Sequence, residues 1–101
     1  QEKIQRAIRD VIPELLDGLP GDERNVLLTL ARMWHTARVG SFVSKDVAAA
    51  WAIPQLSGQD LETLDLSRRG YLGELVEDWG GRTEAAQRLA GRLHEHITNS
   101  F

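Results

Sequence analysis

Several features are scarce in this sequence, and each scarcity excludes a class of protein. The chain of 101 residues has no cysteine, which excludes a disulfide framework and a thiolate metal site. Its longest apolar run, VAAAWAI at 47–53, is far shorter than the ~20 residues of a membrane-spanning helix. It also has no excess of positive charge, because its 12 Lys and Arg are outnumbered by 15 Asp and Glu and form no basic stripe. We therefore expect neither a membrane nor nucleic acid as a partner.

The composition that is present is typical of one globular domain. Hydrophobic residues make up 42% of the chain and charged residues 27%, and a chain of this length can bury its own core. We predict a single domain over 1–101. No basic segment followed by an apolar one indicates a secretion signal, so we expect a cytoplasmic protein. Because the chain begins with Gln1 rather than Met, we expect it to be part of a longer protein.

Apolar residues recur at helical spacing along almost the whole chain, and strict alternation is absent. The pattern predicts an all-α fold, a compact bundle of about five helices. The predicted helices cover roughly 2–17, 22–38, 45–53, 58–79 and 83–98. Pro13 is expected to kink or split the first helix. Ser57 with Asp60 resembles a capping box for the fourth helix, and Thr83 is the expected cap of the fifth.

Lys45 occupies an unfavourable position for a cation. Ser44 is a good N-cap residue, so Lys45 falls in the first turn of the third helix, where unpaired N–H groups and the macrodipole are positive. An anion at this place would make a cation useful, because helix N-termini and lysines both bind phosphate. The alternative is a solvated lysine whose small cost is offset by the neighbouring Asp46.

The second helix carries a polar stripe. At ~100° per residue, one side of this helix gathers short polar side chains and one arginine: Asp22, Asn25, Thr29, Arg32 and Thr36. Asp22 and Arg32 lie about 15 Å apart along the axis, so one end suits a cationic group and the other a phosphate chain. The alternative is that Asp22 caps the helix and Arg32 pairs with a neighbouring acid.

Three blocks of sequence, in this order, are shared with a known family: GDERNVLLTLARMW at 21–34, GSFVSKDVAAAW at 40–51 and YLG at 71–73. They resemble the C-terminal domain of the aminoglycoside adenylyltransferases, which are streptomycin and spectinomycin resistance enzymes. The resemblance implies a helical domain that closes over the cleft of an N-terminal nucleotidyltransferase domain, with both substrates between the two domains. It leaves open which aminoglycoside is modified.

The resemblance also implies roles for five residues. Asp22 is expected to contact the aminoglycoside, as is Asn25, which stands where many family members have histidine. Arg32, Lys45 and Tyr71 are expected to reach the phosphates of ATP. The catalytic base and the Mg²⁺ ligands are expected in the N-terminal domain, so this chain is expected to hold no catalytic or metal-binding residue and to be inactive alone.

Three other functions stay open from the sequence. A helix-turn-helix DNA binder matches the second and third helices superficially, although the third presents mostly apolar residues after Lys45. A ribonuclease of the HEPN type would use Arg88 and His94. A helical protein-interaction module without substrate binding is the third. A metal site is not expected, because His94 and His96 point in nearly opposite directions on a helix.

Overall fold

Five α-helices form the regular structure of the chain in a computed structural model, which describes residues 2–101 and, within that range, all side chains except those of Glu2 and Ile4. The helices are α1 (Glu2–Asp17), α2 (Glu23–Val39), α3 (Lys45–Ala52), α4 (Gly58–Tyr71) and α5 (Thr83–Thr98), with a 3₁₀ turn at Ile53–Gln55. The described residues contain no strand, which confirms the predicted all-α bundle. No helix in residues 2–101 is long and apolar enough to cross a membrane.

α2 lies at the centre of the bundle and packs against α1, α3, α4 and α5. Leu27, Leu28 and Leu30 are fully buried there, and they belong to one core with Leu64 of α4 and Leu93 of α5. By helical spacing, Leu28 falls outside the apolar side of α2 that contains Leu27 and Leu30. It is buried because a central helix is covered on several sides, so a single apolar stripe underestimates its contacts.

α1 runs through Pro13 without a break, although proline removes one helical hydrogen bond. The residues around it explain why, since Ile12 is buried and both Leu15 and Leu16 pack against the core. Pro13 itself is exposed. The expected split of this helix is therefore wrong.

α4 ends at Tyr71, eight residues before the predicted end at Trp79. Gly73 has a φ of +78°, and the Glu74 amide donates to the Arg69 carbonyl at 2.9 Å. This left-handed glycine with its closing bond is a common way to end a helix. The prediction failed because Gly73 was read as a helical residue. Residues 72–82 form a loop, from which Trp79 packs against the core.

The predicted capping interactions of α4 and α5 are not formed, although the N-cap position of Ser57 is confirmed. Ser57 is at the N-cap of α4 but makes no capping hydrogen bond with its side chain, and Asp60 instead forms an ion pair with Arg92 at 3.5 Å. Thr83 is the first residue of α5, and Arg82 is its N-cap. Tertiary contacts decide what these polar side chains bind, which local spacing does not reveal.

Candidate functional site

A continuous chain of hydrogen bonds joins the starts of α2 and α3. The Lys45 Nζ donates to the Asn25 Oδ1 at 2.6 Å, and the Asn25 Nδ2 donates to the Asp22 Oδ2 at 3.0 Å. Asn25 thus accepts from a cation and donates to an anion, which uses both functions of its amide. Three of the predicted site residues are brought together here, and Lys45 is 20 residues from Asn25 in sequence. We call this set the Lys45–Asn25–Asp22 chain.

Asp22 occupies the N-cap position of α2, but its side chain makes no capping hydrogen bond. Its backbone carbonyl accepts from the Val26 amide at 3.0 Å, as an N-cap carbonyl does. Its carboxylate turns to Asn25 instead. The alternative reading of Asp22 as an ordinary cap is therefore wrong. The residue presents an exposed carboxylate at the start of the helix.

Lys45 is the first residue of α3 and is half-buried. Ser44 precedes it at the N-cap but donates its hydroxyl to the Asp46 Oδ1 at 2.8 Å. The ammonium of Lys45 is held by a neutral amide oxygen, since it forms no ion pair in the part of the chain that the structure describes. An ammonium has several N–H donors, so this one keeps donors to offer to an anion.

Tyr71 does not join the chain of hydrogen bonds, but the end of α4 that carries it is tied to α2. It is the last residue of α4 and is 46% exposed. The preceding residue, Gly70, accepts a hydrogen bond on its carbonyl from the Arg24 Nη1 at 2.9 Å. Since Arg24 lies beside Asn25 in the first turn of α2, the end of α4 lies against that turn. Over residues 2–101 the Tyr71 hydroxyl makes no hydrogen bond.

Arg32 stands apart from the Lys45–Asn25–Asp22 chain. It follows Asn25 by about two helical turns, or ~10 Å along the axis. Its side chain is exposed and, within residues 2–101, it makes neither a hydrogen bond nor an ion pair. The alternative in which Arg32 pairs with a neighbouring acid is therefore wrong.

A groove between α1 and α2 connects Arg32 to Asp22. Arg32 lines a cavity of about 440 Å³, and Asp22 lines an adjoining one of about 400 Å³. The two cavities share Val11, Thr29 and Met33. Four residues of the predicted polar stripe, Asp22, Thr29, Arg32 and Thr36, thus line this groove, with a carboxylate at one end and a guanidinium toward the other.

Comparisons with known proteins identify the family of this chain. Residues 1–96 match the family described as "Aminoglycoside adenylyltransferase, C-terminal domain". The chain belongs to this family. This confirms the resemblance carried by the three sequence blocks and does not favour the alternative functions.

The adenylyltransferase relatives are considerably longer than this chain. Spectinomycin 9-adenylyltransferase of Staphylococcus aureus (strain N315) is 48% identical over 98 residues, which are 97% of this chain and 38% of the relative. The enzyme of the same name from Campylobacter jejuni is 39% identical over 94% of this chain and 37% of its own length. The chain therefore spans less than two fifths of these curated relatives.

A solved adenylyltransferase shares the fold. The crystal structure of spectinomycin adenyltransferase AAD(9) from Enterococcus faecialis with ATP and spectinomycin has a TM-score of 0.86 to this chain and 32% sequence identity. The similarity covers 96% of this chain and 38% of that chain.

Two residues beside the site were not predicted from the sequence. The Arg24 Nη1 lies 3.5 Å from the Glu77 Oε1, and the Glu77 side chain is only 11% exposed. The one signal was Gly70, which the sequence placed inside a helix at a cost of about 1 kcal/mol relative to alanine. A Cβ atom on Gly70 would collide with the Glu77 carboxylate. Close packing explains this glycine.

The histidines and Arg88 have structural partners. His96 stacks on Trp34 with ring centroids 4.1 Å apart, and burial lowers its pKa, with a further contribution from Arg92. Arg88 donates to Gln59 at 3.2 Å, while His94 lines a separate cavity between α1 and α5. No hydrogen bond among the described residues joins Arg88 to His94.

The residues present do not fit a metal ion. In the part of the chain that the structure describes, no three or more His, Asp and Glu side chains are grouped so that they could hold one. The Asp22 carboxylate accepts a hydrogen bond from the Asn25 amide, whose oxygen accepts from the Lys45 ammonium.

Proposed function

We propose that this chain is the substrate-binding domain of an ATP-dependent aminoglycoside adenylyltransferase, within a longer bacterial protein that acts in the cytoplasm and confers antibiotic resistance. The observation that carries the proposal is the Lys45–Asn25–Asp22 chain. It holds an ammonium and a carboxylate one amide apart, at the starts of two helices. A polyanion and a polycation can therefore lie side by side on this surface.

The free donors and acceptors support a division of roles. Asp22 and Asn25 bind cationic and hydroxyl groups of the drug. Lys45, Arg32 and Tyr71 bind the phosphates of ATP. Arg32 and Tyr71 have hydrogen-bonding groups without partners in residues 2–101, and Lys45 keeps unused N–H donors. These groups gain charge-assisted hydrogen bonds when phosphate arrives.

The reaction joins a drug hydroxyl to the α-phosphorus of ATP. The hydroxyl oxygen forms the new O–P bond, pyrophosphate leaves, and the hydroxyl proton passes to a base. We assign that base, and the Mg²⁺ of the parent enzyme, to a nucleotidyltransferase domain elsewhere in the protein. Residues of this chain contribute by orienting both reactants, and such positioning lowers a barrier by as much as ~7–11 kcal/mol in favourable cases.

Spectinomycin is the drug that we expect to be modified. The relatives from Staphylococcus aureus and Campylobacter jejuni are both named spectinomycin 9-adenylyltransferase, and the solved structure contains spectinomycin. Streptomycin is the second substrate to test, since other relatives are named aminoglycoside (3'') (9) adenylyltransferase.

The test measures pyrophosphate release by the full-length protein with ATP and each drug. Lys45→Met is expected to raise the KM for ATP by roughly 10- to 100-fold, because a hydrogen bond to a charged group is lost. Asp22→Asn is expected to raise the KM for the drug instead. Lys3→Met and Asp10→Asn are matched controls, because both residues are exposed on α1, and they should leave both constants unchanged.

Unchanged constants in Lys45→Met and Asp22→Asn would support the protein-interaction alternative and overturn the proposal. The 101-residue chain alone forms a further arm of the same assay. It is expected to release no pyrophosphate because the base lies elsewhere. Drug-dependent release by this chain alone would show that a catalytic group within it has been missed.

A further inference from the structure

The end of α4 is held by two oppositely charged residues from other segments. The Arg24 Nη1 of α2 donates to the Gly70 carbonyl at 2.9 Å and lies 3.5 Å from the Glu77 Oε1. Glu77 belongs to the loop 72–82. One guanidinium nitrogen therefore connects α2, α4 and this loop at a single point.

Placing Glu77 at that point is unfavourable in free energy. Its side chain is 11% exposed, and its Oε2 is buried without a hydrogen-bond partner among the described residues. Burying a carboxylate oxygen without a partner is unfavourable, and a charge pair of this kind often adds little net stability. The arrangement is therefore better explained by the geometry that it fixes than by the stability that it contributes.

Gly70 makes this approach of Glu77 feasible. A Cβ atom there would occupy the space of the Glu77 carboxylate. Gly70 is also buried, so the carboxylate packs directly on the helix backbone one residue before Tyr71. Restraining the Gly70 carbonyl restrains the peptide that leads into Tyr71. The same guanidinium belongs to the turn that carries Asp22 and Asn25.

We propose that Arg24 and Glu77 are positioning residues, which hold Tyr71 at a fixed place relative to the Lys45–Asn25–Asp22 chain so that its phenol meets the phosphates of ATP. This inference rests on the proposed function, because it presumes that Tyr71 binds phosphate. Arginine suits the task because its planar group can serve a carbonyl and a carboxylate at once. Glu77 keeps that group on Gly70 and away from the phosphates.

The first test replaces Glu77 in the full-length enzyme. Glu77→Gln keeps the shape of the side chain and removes its charge, and we expect the KM for ATP to rise about fivefold. The kcat and the KM for the drug are expected to stay within about twofold of wild type, since a shift in ATP binding is the only expected change. Glu74→Gln is the matched control, because Glu74 is in the same loop and forms an exposed ion pair with Arg69.

Arg24→Gln provides a second route if Glu77→Gln does not fold. The Arg24 side chain is 45% exposed, so its replacement creates no cavity. The same rise in the KM for ATP is expected. A fall in kcat with an unchanged KM, or an equal effect from Glu74→Gln, would overturn the inference.

A double-mutant cycle tests whether these residues act through Tyr71. Tyr71→Phe is expected to raise the KM for ATP about tenfold, and adding Glu77→Gln to it should then change nothing more. If Tyr71→Phe raises the KM but the two effects multiply, the positioning role is wrong and the proposed function stands. If Tyr71→Phe leaves the KM unchanged, the phosphate role of Tyr71 is itself wrong.

Discussion

The two ends of α2 place polar side chains in opposite environments. At the start of the helix, Asp22 and Asn25 are exposed and bind each other and a lysine from α3. Near its end, His35 and Thr36 are buried, and both side chains contact the Ser41 carbonyl, at 3.2 and 3.3 Å. Backbone partners are fixed by the fold, whereas exposed side-chain partners can be exchanged for ligand atoms.

Aromatic packing strengthens the contrast. Trp34 stacks on His96 at 4.1 Å and meets the edge of Trp51 at 4.9 Å, while His35 meets the same indole at 5.0 Å. Such pairs add about 0.5–1.5 kcal/mol each beyond the area that they bury. We infer that the polar and aromatic side chains in the second half of α2 stabilise the fold, whereas the exposed polar side chains at its start are free to serve binding.

Replacing Trp34, which lies at the centre of these aromatic contacts, should have the largest effect on the free energy of unfolding. Trp34 is 3% exposed, so Trp34→Ala is expected to lower the free energy of unfolding by about 3–5 kcal/mol through lost contacts and a cavity. Urea unfolding of the 101-residue chain, followed by circular dichroism, measures the loss. Phe42→Ala is the control, because Phe42 is 76% exposed. Similar losses in both variants would contradict the contrast between the two ends.

Protonation of His96, which stacks on Trp34 of α2, is expected to have a smaller effect on the free energy of unfolding. Burial and Arg92 lower the pKa of His96 from 6.5, against an opposing effect of Glu95. The unfolded chain therefore takes up this proton before the folded one, so stability falls as the pH drops below 6.5 toward the lowered pKa. Above that window the residue contributes no pH dependence.

Thermal unfolding over about pH 5–8 measures this dependence. His96→Phe keeps a ring on Trp34 and cannot titrate, so its Tm should decline less between pH 6.5 and the lowered pKa. If the Tm of His96→Phe falls with pH as steeply as that of wild type, the proton is taken up by another group.

The smallest effect on stability is expected at the start of the helix. Asn25 is exposed, and in Asn25→Ala both Lys45 and Asp22 return to solvent. We therefore expect the free energy of unfolding to change by no more than about 0.5 kcal/mol. The same urea experiment measures it, with Asn99→Ala as an exposed control beyond α5. A loss approaching that of Trp34→Ala would show that this network stabilises the fold.

The sequence predicted most of the fold because helical periodicity is a local property. It failed where a neighbour decides the outcome. Leu28 is buried because α2 is central, and α4 ends early because Gly73 takes a left-handed conformation. Neither fact can be derived from apolar spacing.

The candidate site was predicted unevenly for the same reason. Lys45 stood out because a cation in a first helical turn breaks a local rule. Its bond to Asn25 crosses 20 residues of sequence and requires α2 and α3 to pack together. The pairing of Arg24 with Glu77 depends on a loop that the sequence assigned to a helix, so Gly70 was its one local signal.

The amide of Asn25 places a side chain that does not titrate between the two charged residues. An amide offers the same oxygen acceptor and nitrogen donors at any pH where the protein is folded. A histidine in its place could also accept from the lysine and donate to the aspartate while neutral. Once protonated it would only donate, and the contact with the lysine would become a repulsion between two cations. The middle of this connection therefore keeps its donors and its acceptor in mild acid, where an imidazole would lose its acceptor.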